Sequence, residues 1–295
     1  VTVSHRSVLN RLAWMDAWYP VSGSDRLLQK TPVTFDVSVW ELFWPLVSGV
    51  PLVIAEPGRH GDPEYLREVI VGRSVSVVHF VPSMLSAFVD VLGDRLGELS
   101  CLRHVFASGE ALAPSVADGL LSRLPGVGLH NLYGPTEAAV DVTAYSVRAG
   151  DVVVPIGSPV PNTVARVLDS RLARVPVGVP GELYLGGVQV ARGYAARPDL
   201  TAERFVADPF GGPGERLYRT GDLVRWNASG DLEYLGRTDF QVKLRGQRLE
   251  LGEVEAAVAA APGVVHAAAV VAESAGGQQL VAYVAPAEVD VDVVA

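Results

Sequence analysis

The distribution of apolar positions divides this chain into three textures. Up to about residue 140, runs with strand character alternate with segments of helical period. A helix is expected over 5–18, with Ser4 placed to cap it. The apolar run over 46–55, broken by Ser48 and Gly49, ends in Pro51-Leu52-Val53-Ile54-Ala55 and reads as a buried strand. Helices are expected over 64–72, 83–92 and 115–124, the last two entered through Pro82 and Pro114. Strands are expected over 75–81, 102–107 and 129–132. Such alternation predicts an α/β layer fold with a largely parallel sheet.

The second texture, 142–236, is rich in glycine and proline and carries short alternating strands such as 182–185 and 232–235. Asn227-Ala228-Ser229-Gly230 reads as a hairpin turn, so a small antiparallel barrel or distorted sheet is expected. The third texture begins near Asp239. A strand over 241–245 and a turn at Gly246 precede a helix over 250–261, stopped by Pro262-Gly263. Strands over 264–271 and 279–284 follow, joined through Gly276-Gly277. The expected organisation is a large domain, 1–238, and the start of a small α+β domain, 239–295. The large domain divides into sheet layers over 1–141 and a β-rich part over 142–238.

Composition narrows the function. Of 295 residues, 49% are apolar and 19% charged, which suits a sizeable core and argues against disorder. The net charge of −9 argues against a general nucleic-acid or membrane-surface binder. No run of apolar residues is long enough for a transmembrane helix, and the start lacks the regions of a signal peptide. A single cysteine, Cys101, excludes an intrachain disulfide and a CxxC metal site, and a cytoplasmic setting is expected. The only lysines are Lys30 and Lys243, and neither sits in a GxxxxGK[ST] phosphate loop. HExxH and GxSxG are absent as well.

Four segments could carry chemistry. Asn131-Leu132-Tyr133-Gly134-Pro135-Thr136-Glu137 follows a strand, where open α/β sheets bind ligands. Thr136 and Glu137 could hold phosphate oxygens and a hard cation, although a capped helix start would look similar. Asp222, in Tyr218-Arg219-Thr220-Gly221-Asp222-Leu223, could accept both hydroxyls of a ribose, or simply close a turn. Arg237 and Asp239 sit where the texture changes: one could reach a nucleotide and the other act as a pivot, or both could lie on a charged surface strand. Asp36, between Phe35 and Trp40, could cap a helix or serve as counter-ion to a substrate ammonium.

In this order and at these spacings the segments resemble the adenylation domains of nonribosomal peptide synthetases, within the adenylate-forming family that includes acyl-CoA synthetases and luciferases. The resemblance runs over essentially the whole chain. It also rests on Gly181-Glu182-Leu183-Tyr184-Leu185-Gly186-Gly187, on Ala191-Arg192-Gly193-Tyr194 and on Arg197-Pro198-Asp199-Leu200-Thr201. The run from Gly236 through Lys243 to Leu251 completes the set.

The resemblance implies ATP and magnesium as cofactors, with Glu137 as magnesium ligand and Thr136 as phosphate contact. It implies Tyr133, beside Gly134, as the aromatic against adenine, Asp222 as ribose acceptor with Arg237 beside it, and Asp239 as interdomain hinge. Lys243 matches a lysine that enters the site in the thioester-forming orientation. The family's phosphate loop is expected before Val1 and its catalytic lysine beyond Ala295, so the chain is expected to be part of a longer synthetase.

The resemblance also maps an amino-acid pocket onto Asp36, Val37, Trp40, His79, Phe106, Ser108, Leu132, Val140 and Asp141. Asp36 suits an ammonium. The apolar members leave little room, while His79, Ser108 and Asp141 supply hydrogen-bonding groups, a pattern associated with serine. The implied activity is formation of seryl-adenylate and transfer to a carrier-protein phosphopantetheine thiol, with carrier and condensation domains as partners. The alternatives are an inactive substrate- or nucleotide-binding fragment, and an acyl- or aryl-acid CoA ligase.

Overall fold

The computed structural model describes residues 1–239, 241–244, 246–274 and 277–286. The chain divides into two compact units, Val1–Gly236 and Arg237–Ala295.

The first unit opens with helix α1, His5–Trp18. Ser4 caps it, its side chain accepting from the Ser7 N–H at 3.1 Å. Strand β1, Leu27–Gln29, leads to helix α2, Val37–Ser48, and then to β2, Leu52–Ile54. Three helix–strand repeats follow: α3 (Pro63–Arg73) with β3 (Val77–Phe80), α4 (Pro82–Leu92) with β4 (His104–Ala107), and α5 (Pro114–Leu121) with β5 (Gly128–Tyr133). Asp62 caps α3 through the N–H groups of Glu64 and Tyr65. Two short strands, β6 (Thr143–Ser146) and β7 (Ser158–Pro159), extend the same sheet in the antiparallel sense.

The sheet order is β2-β1-β3-β4-β5-β6-β7, parallel from β2 through β5. Alternation along the strands separates two cores. Val78, Val105 and Leu129 face a cluster with Leu66, Ile70, Leu85, Phe88 and Leu120 from α3, α4 and α5. Val77, Phe106 and Leu132 face the opposite side, against Trp14 and Met15 of α1 and Trp40 and Trp44 of α2. This is the helix–sheet–helix layering that the strand–helix alternation predicts.

The break expected at Ser48 and Gly49 is where α2 ends, with a left-handed stop at Gly49, and the expected strand follows as β2. One expectation is corrected: the strand is not buried. β2 lies at the sheet edge, and Ile54 is 69% exposed. An apolar run carries no record of whether a neighbouring strand covers it.

The second sheet contains β8 (Thr163–Leu168), β9 (Gly181–Gly187), β10 (Phe205–Ala207) and β11 (Arg216–Trp226), with helix α6 (Pro198–Arg204) before β10. Its order is β10-β11-β9-β8, antiparallel throughout, and β12 (Leu232–Arg237) pairs with β11 across the expected Asn227–Gly230 turn. Its core centres on Leu183, Leu185, Tyr218, Val224 and Leu232.

In the second unit, β13 (Gln241–Leu244) and β14 (Gln247–Glu250) form a hairpin. Helix α7 (Leu251–Ala259) and the hairpin of β15 (His266–Ser274) with β16 (Gly277–Ala285) follow.

The packing sets a scale for stability. Phe88 is buried in the α3–α5 core, 4.8 Å from the Phe80 ring. Phe88→Ala is expected to lower stability by about 3–5 kcal/mol. Ser4→Ala, which removes only the α1 cap, should cost about 1 kcal/mol. Denaturant melts of both variants followed by near-UV circular dichroism check the ranking; equal costs would contradict it.

Candidate functional site

The order β2-β1-β3 means that the chain leaves β1 toward one side of the sheet and β3 toward the other. A crevice forms at the carboxyl ends of strands where the order reverses in this way. The site residues gather there. Asp36 follows β1 and His79 lies near the end of β3. Ser108 follows β4, and Tyr133 ends β5.

One side of the site is a tight aromatic box. Trp40, Phe106, Leu132 and Val140 belong to one buried cluster, with Val37 packed against it. Trp40 meets Phe106 edge-on at 5.4 Å and His79 at 6.1 Å. The residues next to the box are polar. His79 Nε2 and Ser108 Oγ lie 2.9 Å apart. Burial pushes the His79 pKa well below its ordinary value, and the charges of Lys30 and Arg11 push it the same way, so the ring is neutral. Its Nδ1 and the Trp40 Nε1 have no hydrogen-bond partner among the described residues. Asp141 is buried and accepts from Arg11 Nη2 at 2.7 Å.

The other side is built by a loop that doubles back. A Cβ on Gly134 would lie 2.5 Å from the Val140 carbonyl oxygen and 2.6 Å from the Asp141 Cα, so only glycine fits. The return brings Ala139 and Val140 into the left-handed region, with φ of 58° and 79°. For a β-branched valine this is strain of about 1–3 kcal/mol. Gln189 holds the loop, donating from Nε2 to the carbonyls of both Ala138 and Asp141 at 3.0 Å.

Within that loop Thr136 Oγ1 donates to Asp36 Oδ2 at 2.6 Å. Glu137 is buried and accepts from the Tyr194 hydroxyl at 2.7 Å. The Tyr133 hydroxyl donates to Asp222, joining β5 to β11. Asp222 reaches the first sheet because the β9–β11 register breaks between Arg219 and Leu223. At the break Gly221 has φ 76°, and Thr220 Oγ1 both donates to the Leu183 carbonyl and accepts from the Asp222 N–H.

Asp36 stands at the helix-cap position of α2 without a side-chain capping bond. Burial pushes its carboxyl up to about 6. The Thr136 hydrogen bond counteracts this, while the charges of Asp141 and Glu137 add to it. A carboxylate destabilised in this way suits a cationic partner.

The remaining candidates belong to the second unit. Arg237 makes a bidentate ion pair with Asp239, at 2.7 and 2.8 Å. Lys243 lies in β13, and its side chain falls outside the described residues.

Three residues with clear structural roles here escape motif reading. Arg11 and Gln189 make their contacts to Asp141 and its loop over 130 and 48 residues of chain, with no local signal. Tyr194 sits in the Ala-Arg-Gly-Tyr segment, but nothing in its spacing points to Glu137. Among the described residues no group of three or more His, Cys, Asp or Glu could hold a metal, and no helix is long and apolar enough to cross a membrane.

The chain belongs to the AMP-binding enzyme family, whose profile matches residues 1–195. It is 56% identical over 287 residues to phosphinothricin tripeptide synthetase PhsB of Streptomyces viridochromogenes, covering 96% of this chain and 24% of that protein. It is 50% identical over 298 residues to enterobactin synthase component F of Escherichia coli, covering 96% and 23%. The chain thus spans about a quarter of these relatives.

Among solved structures, the Vibrio cholerae adenylation domain AlmE in complex with glycyl-adenosine-5′-phosphate superposes with a TM-score of 0.89 at 30% identity, over 99% of this chain and 56% of that one. PA1221, a nonribosomal peptide synthetase protein containing adenylation and carrier domains, superposes with 0.85 at 28% identity, over 96% and 57%. The expected α/β adenylate-forming fold is the one found.

The Asp36 carboxyl yields a prediction that needs no substrate. Its folded pKa of about 6 lies above the ordinary 3.8, so the folded state holds the proton more tightly than the unfolded chain. Ionisation therefore costs stability, and the cost grows as pH rises from about 4 to 6. Asp36→Asn should match the wild type at pH 3.5, on the order of the unperturbed carboxyl pKa, and melt higher at pH 7. Thermal melts across that range check it. An Asn variant less stable at pH 7 would show that the carboxylate is favourably paired in the empty site.

Proposed function

We propose that the chain activates an amino acid, serine, as the aminoacyl-adenylate and delivers it to a phosphopantetheine thiol on a carrier domain. The setting is nonribosomal peptide synthesis in the cytoplasm, with condensation and carrier domains of the parent synthetase as partners. The observation that carries this reading is the 2.6 Å hydrogen bond from Thr136 to Asp36. It sets the candidate ammonium counter-ion directly against the candidate phosphate contact. An amino acid held by its ammonium there has its carboxylate beside the α-phosphate that it must attack.

In the first step a carboxylate oxygen of the amino acid bonds to the α-phosphorus of ATP, and the bond to pyrophosphate breaks. No protein nucleophile is needed; catalysis is positioning and charge neutralisation. Asp36 binds the ammonium, and Asp222 accepts the ribose hydroxyls. Tyr133, oriented by its bond to Asp222, lies against the base beside Gly134. Glu137 would hold magnesium, a fit supported by its buried carboxylate, since this ion takes one or two carboxylates and draws other oxygens from phosphate and water. Magnesium, when bound, neutralises charge on the polyphosphate. In the second step the thiol sulfur attacks the acyl carbon, AMP leaves, and the thiol proton is released. Asp239 serves as the hinge for this change, with Arg237 paired to it, and Lys243 serves the thioester-forming orientation.

The preference for serine rests on the pocket. Trp40, Phe106, Leu132 and Val140 limit size, with Val37 packed against them. His79, Ser108 and Asp141 offer partners to a side-chain hydroxyl. A site that hydrogen-bonds a hydroxyl rejects analogues lacking it by about 10⁴-fold or more.

Pyrophosphate exchange by the parent synthetase module, with a panel of amino, fatty and aryl acids, tests the reading. Serine is expected to support exchange well above alanine. Exchange driven by an aryl or fatty acid would identify a CoA ligase, and none at all a binding fragment. Asp36→Ala should abolish amino-acid dependence with ATP affinity kept. Asp222→Ala should weaken ATP and AMP alike, and Glu137→Ala should impair the magnesium-dependent step with AMP binding kept. Loss of AMP binding in both nucleotide-site variants, with folding intact, would contradict the separate roles.

A further inference from the structure

Arg11 lies on α1, outside every motif, and is 1% exposed. Its guanidinium sits 4.9 Å from the Trp14 ring and 5.8 Å from the Trp40 ring. It spends Nη2 on Asp141, whereas its Nε and Nη1 have no hydrogen-bond partner among the described residues. A buried guanidinium with two unspent donors is costly, so packing alone does not account for an arginine at this position. Trp40 links it to the pocket, since the same indole touches His79 and Phe106. Two further unpartnered buried atoms, Trp40 Nε1 and His79 Nδ1, belong to the same neighbourhood.

The charges explain what Arg11 does. Asp36 and Asp141 are close enough that the charge on Asp141 raises the Asp36 carboxyl. An amino-acid substrate brings one ammonium, which can answer only one of them. Arg11 answers the other. Asp36 is then left to the ammonium, and Asp141, paired with Arg11, is a pure acceptor.

Building on the amino-acid reading above, we propose that Arg11 is a positioning residue for substrate selection: it holds Asp141 ionised and oriented to accept a hydrogen bond from the side-chain hydroxyl of the amino acid. In this role Arg11 sets selectivity for the hydroxyl and takes no part in phosphate chemistry.

The test uses the parent synthetase module and pyrophosphate exchange with serine and alanine, alongside thermal melts. Arg11→Met leaves Asp141 buried without its cation and is a severe variant. Two others keep the question open to measurement. Arg11→Lys keeps the charge, and should keep the serine preference within about tenfold. Arg11→Met combined with Asp141→Asn removes both charges, and its serine-to-alanine preference should fall by about 100-fold or more. That loss should appear in the serine KM more than in kcat. A double variant with the wild-type preference would overturn the proposal. So would equal losses for serine and alanine, or failure of all three variants to fold, either of which would make Arg11 structural. A wild-type module without amino-acid-dependent exchange would instead overturn the functional reading, and this inference with it.

Discussion

The site depends on one close approach, the return of the chain past Gly134 into contact with Val140 and Asp141. No side chain fits between these backbones, so the loop folds in one way. That geometry sets three pairings together. Thr136 meets Asp36, Glu137 meets Tyr194 and Asp141 meets Arg11. Each joins the loop to a different part of the chain: the start of α2, the segment between β9 and α6, and α1. The strain at Val140 is sustained because Gln189 and the neighbouring strands hold the loop from both sides.

Electrostatics explains why such a junction is needed. Asp36, Glu137, Asp141 and Asp222 all lie in or near one crevice, the last three buried and Asp36 half-buried. The fold distributes partners among them: a guanidinium for Asp141, phenol hydroxyls for Glu137 and Asp222, and a threonine hydroxyl for Asp36. A hydroxyl satisfies a carboxylate only partly, and Asp36 remains the least compensated, with its carboxyl raised to about 6. The position of weakest internal compensation is where an external cation gains most.

The second sheet does more than cover the first. Its bulge between Arg219 and Leu223 turns Asp222 toward Tyr133, so this side of the candidate site is assembled from both sheets. A regular ladder would have kept the strand alternation and changed the face presented at this position.

Local pattern was enough for much of the architecture. Ser4 announces α1, Pro82 and Pro114 announce α4 and α5, and the Asn227–Gly230 turn announces the pairing of β11 with β12. These features depend on residues within a few positions of one another, which is the range over which sequence carries direct structural information. The motif residues Thr136, Glu137 and Asp222 were likewise visible as chemistry waiting for a context. What the sequence by itself determined was therefore the layered α/β class, the adenylate-forming resemblance and a set of candidate site residues. It did not reveal the edge exposure of Ile54, because burial of a strand depends on which strand lies beside it. Nor did it connect Arg11 to Asp141, 130 residues away. Only the tertiary structure decided that pairing, because two charges so distant along the chain are brought together by the packing of α1 and α2 on the sheet and by the return at Gly134, and no local rule encodes either.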